Sequence, residues 1–270
     1  MKRLFLLIFL GMFLCISSQV FAQVKVDKRE IKLELEPGKT VVGSITVENR
    51  SDKNIPIKTE LEDFTYPSPF DGRKKPLPLG SMPRSCAEWI SVSPAVFELP
   101  PRGKREVNYS IKVPKQAKGG YYGVLFFKKE AEPLKGQIGA RVAVRVGCSF
   151  FLETPDKTKK AKIEDISVAS SDTIQGYFSN VGDVLLISKG NFYAMNEEGI
   201  VADRGEIREK EFHLFPEEKA PFTVNLSKEL ALGRYTLVIN FDLGQGDAAL
   251  KEVDFSKDAV EGIKISKVRD

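Results

Sequence analysis

Side chains that could carry out catalysis are sparse in this sequence. The chain of 270 residues has a single histidine, His213, in the segment EFHLFP. One histidine excludes a metal site built from several histidines and argues against a Ser-His-Asp hydrolase triad. The sequence also contains no glycine-rich phosphate loop followed by Lys-Ser/Thr, no metalloprotease helix motif and no redox cysteine pair. We therefore predict that the protein is not an enzyme and binds no cofactor or metal.

The N-terminal segment predicts export. Lys2 and Arg3 precede an apolar run from Leu4 to Cys15, and residues 20–22 (Val-Phe-Ala) have the small residues that a signal peptidase requires. The run is shorter than the roughly 20 residues that cross a bilayer. Cleavage after Ala22 would leave 270 − 22 = 248 residues without a second hydrophobic span. We expect a protein of the periplasm or of the cell envelope or surface, without stable membrane insertion once the signal is removed.

The charge of the chain argues against nucleic acid as a partner. The formal net charge is +4, and the loss of Lys2 and Arg3 with the signal lowers it to +2. Positive and negative residues are interspersed along the chain, so we expect no binding to nucleic acid or to an acidic membrane surface. The expected partner is another protein.

Two cysteines, Cys86 and Cys148, follow the predicted signal peptide. In an exported protein such a pair either forms a disulfide or remains as two separate buried thiols. The sequence leaves both alternatives open.

Apolar and polar residues alternate with a period of two over much of the chain. Residues 31–35, 41–47, 55–61 and 107–113 each have one side suited to a core and one suited to water. Turn sequences such as EPGK, RSDKN and LPPRGK separate these segments. Short strands at this spacing predict a β-sandwich.

The pattern is interrupted at residues 153–162, ETPDKTKKAK, which contain four lysines and no large apolar residue. We interpret this stretch as a linker between a first domain, residues 23–152, and a second domain, residues 163–270. Strand-like segments resume after it, at residues 163–168, 173–179, 184–187, 191–195, 212–215, 222–226, 234–243 and 250–255. They predict a second sandwich of about seven strands.

The segment VPKQAKGGYYGVLFF, residues 113–127, combines a flexible corner with an apolar strand. Gly119 and Gly120 allow the backbone to turn. Tyr121 and Tyr122 stand where immunoglobulin-type sandwiches have a tyrosine whose hydroxyl holds the preceding corner. Both sides of the following strand are apolar, which predicts a strand covered on both faces.

The last strand of the first domain is long. Residues 140–152 would span about 43 Å at 3.3 Å per residue, well beyond the usual strand of five or six residues. Such a strand can offer an edge on which another chain completes a sheet. The alternative is that its apolar side chains pack within the first domain or cover the domain junction. These side chains alternate along one phase: Val142, Val144, Val146, Cys148, Phe150 and Leu152.

The arrangement resembles the PapD-like periplasmic chaperone superfamily. The segments Trp89-Ile90, VSP at 92–94, FELPP at 97–101 and GGYY at 119–122 are also similar to a broader bacterial group that includes the WxL-interacting cell-surface proteins. The resemblance implies two tandem immunoglobulin-like β-sandwiches after a signal peptide. It also implies that RVAVRVGCSFFLETP, residues 141–155, is a donor strand that completes the unfinished fold of a pilus subunit.

One departure from that superfamily concerns its anchoring charges. Its pilus chaperones hold the terminal carboxylate of the subunit with a lysine on the donor strand and an N-terminal arginine, as the resemblance implies. This chain has Ser149 or Gly147 at the lysine position, and Arg29 is the nearest candidate for the arginine. This difference argues against capture of the subunit's carboxylate by these two positions, but it leaves the surface of the donor strand in place.

Two functions follow from these observations. The first is an exported, non-enzymatic chaperone that takes part in pilus-like assembly and binds an envelope or surface protein through Val142, Val144, Val146 and Phe150. The alternative is a cell-envelope scaffold or adhesion module that binds a surface protein or polysaccharide through the loop 63–80. That loop is long and rich in proline, and its aromatic residues include Tyr66 and Phe70.

Overall fold

The computed structural model describes residues 23–129 and 145–269, and strands account for nearly all of their secondary structure. Twenty strands and one short 3-10 helix, Ala87–Trp89, lie in these ranges. The predicted all-β class is confirmed. Within the described ranges no helix has the length and apolar character needed to cross a bilayer. The predicted signal peptide, residues 1–22, lies outside the described residues.

Ten strands form the first sandwich, as two facing sheets. One sheet has the order β1-β3-β8-β6, and the other has the order β2-β10-β9-β4-β5 with β7 also paired to β4. The strands are β1 (Val24–Val26), β2 (Glu30–Glu34), β3 (Thr40–Asn49), β4 (Ile55–Thr65), β5 (Lys75–Leu77), β6 (Ile90–Ser93), β7 (Val96–Leu99), β8 (Lys104–Lys112), β9 (Gly120–Lys129) and β10 (Arg145–Glu153).

The first two strands belong to different sheets of this sandwich. β1 pairs antiparallel with β3, whereas β2 pairs parallel with β10, from Ser149 opposite Glu30 to Glu153 opposite Glu34. The chain therefore crosses from one sheet to the other between Val26 and Glu30, and it closes one side of the sandwich. A parallel pair between strands this far apart in sequence was not predicted from the alternation.

Ten further strands form the second sandwich. Its sheets have the orders β11-β12-β17, β13-β16 and β15-β14-β18-β19-β20. The strands are β11 (Ala161–Ser170), β12 (Thr173–Asn180), β13 (Leu186–Ser188), β14 (Gly190–Asn196), β15 (Val201–Glu206), β16 (Phe212–Leu214), β17 (Lys219–Asn225), β18 (Gly233–Gly244), β19 (Asp247–Asp258) and β20 (Gly262–Arg269). The structure thus contains two tandem immunoglobulin-like sandwiches, as the resemblance implied.

Two strands of the second sandwich, β15 and β20, were not predicted. Both are the outer strands of the five-stranded sheet. Most of their side chains are exposed or half-buried, so their sequences lack a clear apolar phase. Edge strands pair through the backbone on one side and tolerate polar side chains, which hides them from a search for alternation.

The connection between the sandwiches is shorter than the predicted linker. β10 ends at Glu153 and β11 begins at Ala161, so residues 154–160 join them. The backbone N–H of Thr154 donates to the carbonyl of Gly119 at 2.9 Å. The backbone N–H of Asp183 donates to the carbonyl of Thr158 at 2.9 Å. These bonds fix the connection to both sandwiches.

A buried asparagine closes one loop of the first sandwich. Asn49 is 1% exposed, and its Nδ2 donates to the carbonyls of Lys53, Leu99 and Pro100 at 2.7, 3.1 and 2.9 Å. Its Oδ1 accepts from the N–H of Ser51 at 2.8 Å. One amide side chain therefore bonds to four backbone groups from two separate segments of the chain.

The second sandwich uses the same device at Asn180, which is also 1% exposed. Its Nδ2 donates to the carbonyls of Val184 and Leu214 at 2.8 and 2.9 Å, and its Oδ1 accepts from the N–H of Gly182 at 3.0 Å. The two sandwiches share this solution although their sequences differ. In the second sandwich the loop held in this way faces the first sandwich.

Replacement of Asn180 by alanine should destabilise the second sandwich by about 2–4 kcal/mol, because it leaves buried backbone groups without partners. Unfolding in urea, monitored by far-ultraviolet circular dichroism, would measure the change in unfolding free energy. Asn225→Ala is the matched control, since Asn225 is exposed at the end of β17. Equal losses of unfolding free energy in the two variants would contradict the assigned role.

Candidate functional site

Strand β10 has an edge that is only partly covered. Over its whole length β10 pairs antiparallel with β9, and from Ser149 onward β2 pairs with its other edge. For residues 145–148, no strand in the described part of the chain pairs through its backbone with the side opposite β9, although β1 lies close to β10. The backbone of an uncovered edge can pair with a strand of another molecule.

Burial along β10 decreases toward this uncovered half. Cys148, Phe150 and Leu152 are at most 1% exposed and lie in the core of the first sandwich. Val146, in the same phase, is half-buried and contacts the edge of that core. The strand therefore leaves the core as it is followed back toward Arg145.

This placement corrects the predicted role of Phe150. Its ring is fully buried and meets the ring of Tyr109 at a centroid distance of 5.3 Å, so a partner protein has no access to it. Val146 has a partly accessible side chain beside the uncovered edge. Val142 and Val144 lie outside the described residues, and their partner-binding role stays a prediction.

The loop predicted to bind a partner instead contacts the second sandwich. We call residues 66–74, which connect β4 and β5, the docking loop. Tyr66 is 2% exposed and stacks on Phe215 with ring centroids 5.3 Å apart. Phe70 is partly buried against the core of the second sandwich. These two aromatic side chains were predicted to face a partner, but in the structure they pack against the second sandwich.

Polar groups of the second sandwich hold the docking loop in place. Arg208 donates through Nη1 to the carbonyl of Pro69 at 2.5 Å and through Nη2 to that of Phe70 at 2.9 Å. Lys210 forms an ion pair with Asp71 at 3.0 Å. Hydrogen bonds from Arg73 and Lys210 hold the pKa of Asp71 well below its usual range. The loop is thus bound through both its backbone and its carboxylate.

An aromatic cluster, which we call the junction cluster, fills the space between the two sandwiches. Its buried members come from the outer face of the first sandwich and from two segments of the second: Phe64, Tyr66, Tyr122, Val124, Phe151, Leu185 and Phe215. Several of these rings meet edge to face, such as Phe64 with Phe151 at 5.9 Å and with Phe215 at 5.7 Å. Aromatic contacts of this kind stabilise an interface beyond the area that they bury.

The corner at Gly119 and Gly120 lets the two backbones approach. Gly119 has a φ of 82°, and a Cβ there would lie 2.4 Å from the carbonyl oxygen of Asp183. A Cβ on Gly120 would lie 2.0 Å from the hydroxyl of Tyr122. The N–H of Gly120 donates to the carbonyl of Asp183 at 2.8 Å. A larger residue at Gly119 would push the sandwiches apart, and one at Gly120 would displace the hydroxyl of Tyr122.

The two adjacent tyrosines have different roles. The hydroxyl of Tyr121 accepts a long hydrogen bond of 3.4 Å from the N–H of Lys118, which is the local corner contact that the sequence predicted. The hydroxyl of Tyr122 accepts instead from the N–H of Leu185 in the second sandwich at 2.6 Å. Burial raises the pKa of Tyr122. The sequence did not indicate this second contact, because nothing in it marks Leu185 as a neighbour.

Lys74 brings a positive charge to the strand position where the resemblance implies a lysine. Its Nζ lies 3.0 Å from the Oγ of Ser149 and 3.0 Å from a carboxylate oxygen of Glu30, above the rings of Phe64 and Phe151. Burial acts to raise the pKa of Glu30. Hydrogen bonds and charge interactions with Lys74 and Lys32 outweigh this effect, so the pKa of Glu30 is lowered. Sequence analysis missed Lys74, since it comes from a loop 75 residues before Ser149.

A cleft of about 590 Å³ lies between the two sandwiches, beside Phe151 and Leu185 of the junction cluster. On one wall of the cleft, Lys157 forms ion pairs with Glu34 at 2.5 Å and with Glu153 at 3.0 Å. The residues that line the cleft are Lys32, Leu33, Glu34, Phe151, Glu153, Lys157, Lys159, Val184, Leu185, Ile187, Gln245 and Asp247. Its walls alternate apolar patches with charges of both signs. No cluster of three or more metal-ligating side chains occurs in the ranges 23–129 and 145–269.

Both cysteines of the first sandwich are free thiols in this structure. Cys86 and Cys148 are fully buried in its core. Burial raises the pKa of both, to about 12 for Cys148. Of the two alternatives that the sequence left open, the structure contains the separate buried thiols, which stay protonated and unreactive at neutral pH.

Comparisons with known proteins identify the fold. No protein-family model and no curated protein sequence matches the chain. A chain from the chaperone–tip adhesin complex of CFA/I fimbriae biogenesis aligns with 91% of this chain and 98% of its own length, at 13% identity and a TM-score of 0.51. The class 5 fimbriae chaperone CfaA aligns with 84% of this chain and 97% of its own, at 11% identity and a TM-score of 0.50.

At this level of sequence identity the alignments establish the fold and not the activity. The chain has the PapD-like architecture of two immunoglobulin-like sandwiches, and the alignments extend through both of them. The predicted likeness to the WxL-interacting group has no counterpart in these structures and stays a prediction.

Replacement of Tyr122 by phenylalanine tests the contact between the sandwiches. The variant keeps the ring but leaves the buried N–H of Leu185 without an acceptor, which should cost about 1–3 kcal/mol. Hydrogen exchange of the Leu185 amide should accelerate accordingly. Tyr121→Phe is the matched control, because it removes a longer, local hydrogen bond on the same strand. Unchanged exchange at Leu185 in Tyr122→Phe would show that the contact does not hold the junction.

Proposed function

We propose that the protein is an exported chaperone that binds a subunit of a surface or pilus-like assembly by β-strand addition along the uncovered edge of β10. The observation that carries this proposal is the absence, among described strands, of a partner for residues 145–148 on the side opposite β9. Strand addition draws its affinity from main-chain hydrogen bonds and its specificity from alternate side chains. The preceding residues Val142 and Val144 would extend the same surface.

The shared fold supports this choice of partner class. The two similar structures are a chaperone–adhesin complex and a fimbrial chaperone. A protein with the same two sandwiches and an open edge on the corresponding domain is suited to hold a subunit that lacks a strand. The burial of Tyr66 and the docking of Phe70 disfavour the alternative, a recognition loop at residues 63–80.

Lys74 would supply the ammonium group that Ser149 does not provide at its position on β10. Its ammonium group sits at Ser149, directly beside the uncovered residues 145–148, and its partner Glu30 is a carboxylate. A carboxylate of the bound subunit could take the place of Glu30 and keep the ammonium paired. The chaperone would then hold both an extended strand and an acidic group of its client.

Photocrosslinking in the native cell envelope tests the binding edge. A photoreactive residue at Val144 or Val146 should capture one dominant exported β-rich protein, and a probe at the exposed Thr223 of the second sandwich should not. Val144→Lys should abolish capture without changing the free energy of unfolding. Val42→Lys, on an exposed site of β3, should leave capture intact. Crosslinks confined to the chain itself would refute strand addition.

The captured protein then allows a test of Lys74. Lys74→Met keeps the apolar stem and removes the charge, and it should weaken binding by about tenfold, or roughly 1.4 kcal/mol. Lys75→Met changes an exposed neighbour on β5 and should have no effect. Glu30→Gln frees Lys74 from its internal partner and should maintain or strengthen binding. Weaker binding in Glu30→Gln than in Lys74→Met would contradict the proposed exchange of carboxylates.

A further inference from the structure

His213, the single histidine of the chain, lies where the docking loop meets the second sandwich. Its backbone N–H donates to the carbonyl of Phe70 at 2.9 Å, and its ring lies 4.9 Å from that of Tyr66. A Cβ on Gly72 would lie 2.9 Å from its Cε1. The imidazole is thus half-buried between the docking loop and β16, the strand that carries it. Neither the proposed function nor the fold requires a histidine here.

The surroundings of the ring suit a neutral imidazole and disfavour an imidazolium. Its Nδ1 is buried and has no hydrogen-bond partner among the described residues. Burial lowers the pKa of His213, the backbone and charge of Glu211 partly offset this effect, and the charges of Arg208 and Lys74 add to it. Protonation would place a positive charge on a half-buried ring close to the cations Arg208 and Lys74.

Asp71 and Tyr66, which also form this contact, keep their charge state under mildly acidic conditions. Hydrogen bonds hold the pKa of Asp71 well below its usual range, so its ion pair with Lys210 persists. Burial raises the pKa of Tyr66, which stays neutral. The charged groups on the elements around the ring are Glu30 on β2, Asp71, Arg73 and Lys74 on the docking loop, and Arg208, Glu209, Lys210 and Glu211 ahead of β16.

We propose that protonation of His213 releases the docking loop from the second sandwich, so that the domain junction loosens locally when the pH falls. The neutral ring stabilises the contact by packing at a tilt against the ring of Tyr66. The charged ring would have to leave this site or bring water into it. This release needs no bound partner and does not depend on the proposed chaperone function.

The direction of the pH dependence follows from linkage. A histidine whose pKa is lower in the folded than in the unfolded protein binds fewer protons when folded. The docked state is therefore fully stable above the unfolded value, about 6.5. It loses stability as the pH falls through that value toward the folded pKa. The contact between Tyr122 and Leu185 contains no group that titrates in this range, so it should persist.

Nuclear magnetic resonance of the full chain tests the proposal directly, because one histidine gives one Cε1–H signal. Its titration in the folded protein should occur at a lower pH than in the urea-unfolded protein. Between pH 7.5 and 5.5, the protection factor of the His213 amide should fall severalfold. The Leu185 amide should keep its protection, as an internal control.

Variants without a titratable group at position 213 distinguish the effect of His213 protonation from other effects of acid on the protein. His213→Phe keeps an aromatic ring against Tyr66, and His213→Gln is a second choice if the first fails to fold. In either variant the protection factor at position 213 should not depend on pH over this range. The proposal is overturned if the folded pKa equals or exceeds the unfolded value. It is also overturned if the wild type loses no more protection than the variant.

Discussion

The hydrogen bond from the N–H of Leu185 to the hydroxyl of Tyr122 is the contact on which the arrangement of the two sandwiches depends. It joins the backbone of one sandwich to a side chain of the other in a buried site, and leaving it unmade would cost about 1–3 kcal/mol. The bond forms only if the two backbones come very close. Gly119 and Gly120 provide that approach, and Asn180 holds the facing loop in the required shape.

The same junction explains why the first sandwich has apolar residues on both faces of one sheet. In β9, Leu125 and Phe127 belong to the core of the sandwich, whereas Tyr122 and Val124 belong to the junction cluster. A sheet that is covered on both sides needs apolar side chains in both phases. The absence of a polar phase in this strand therefore follows from the second sandwich, and not from the first sandwich alone.

The junction also divides β10 into two halves that differ in what covers them. Its second half is fixed by β2 on one edge and by Phe151 in the junction cluster. The first half projects from this support with an uncovered edge, and Lys74 lies at the boundary between the two. For the strand addition that we propose, an edge supported in this way would need little further ordering before it binds.

Periodicity in the sequence was enough to predict the β-class, most strands and the two sandwiches, because alternation along a strand is decided locally by which face meets a core. It failed for β15 and β20, whose edge positions impose little pattern, and for Phe150 and Tyr66, whose apolar side chains look the same whether they meet a partner or their own protein. Lys74 reaches Ser149, and Leu185 reaches Tyr122, across long separations in the chain. Only the tertiary structure decided these contacts, since the packing of distant segments, and no short-range pattern, determines which groups meet at the junction.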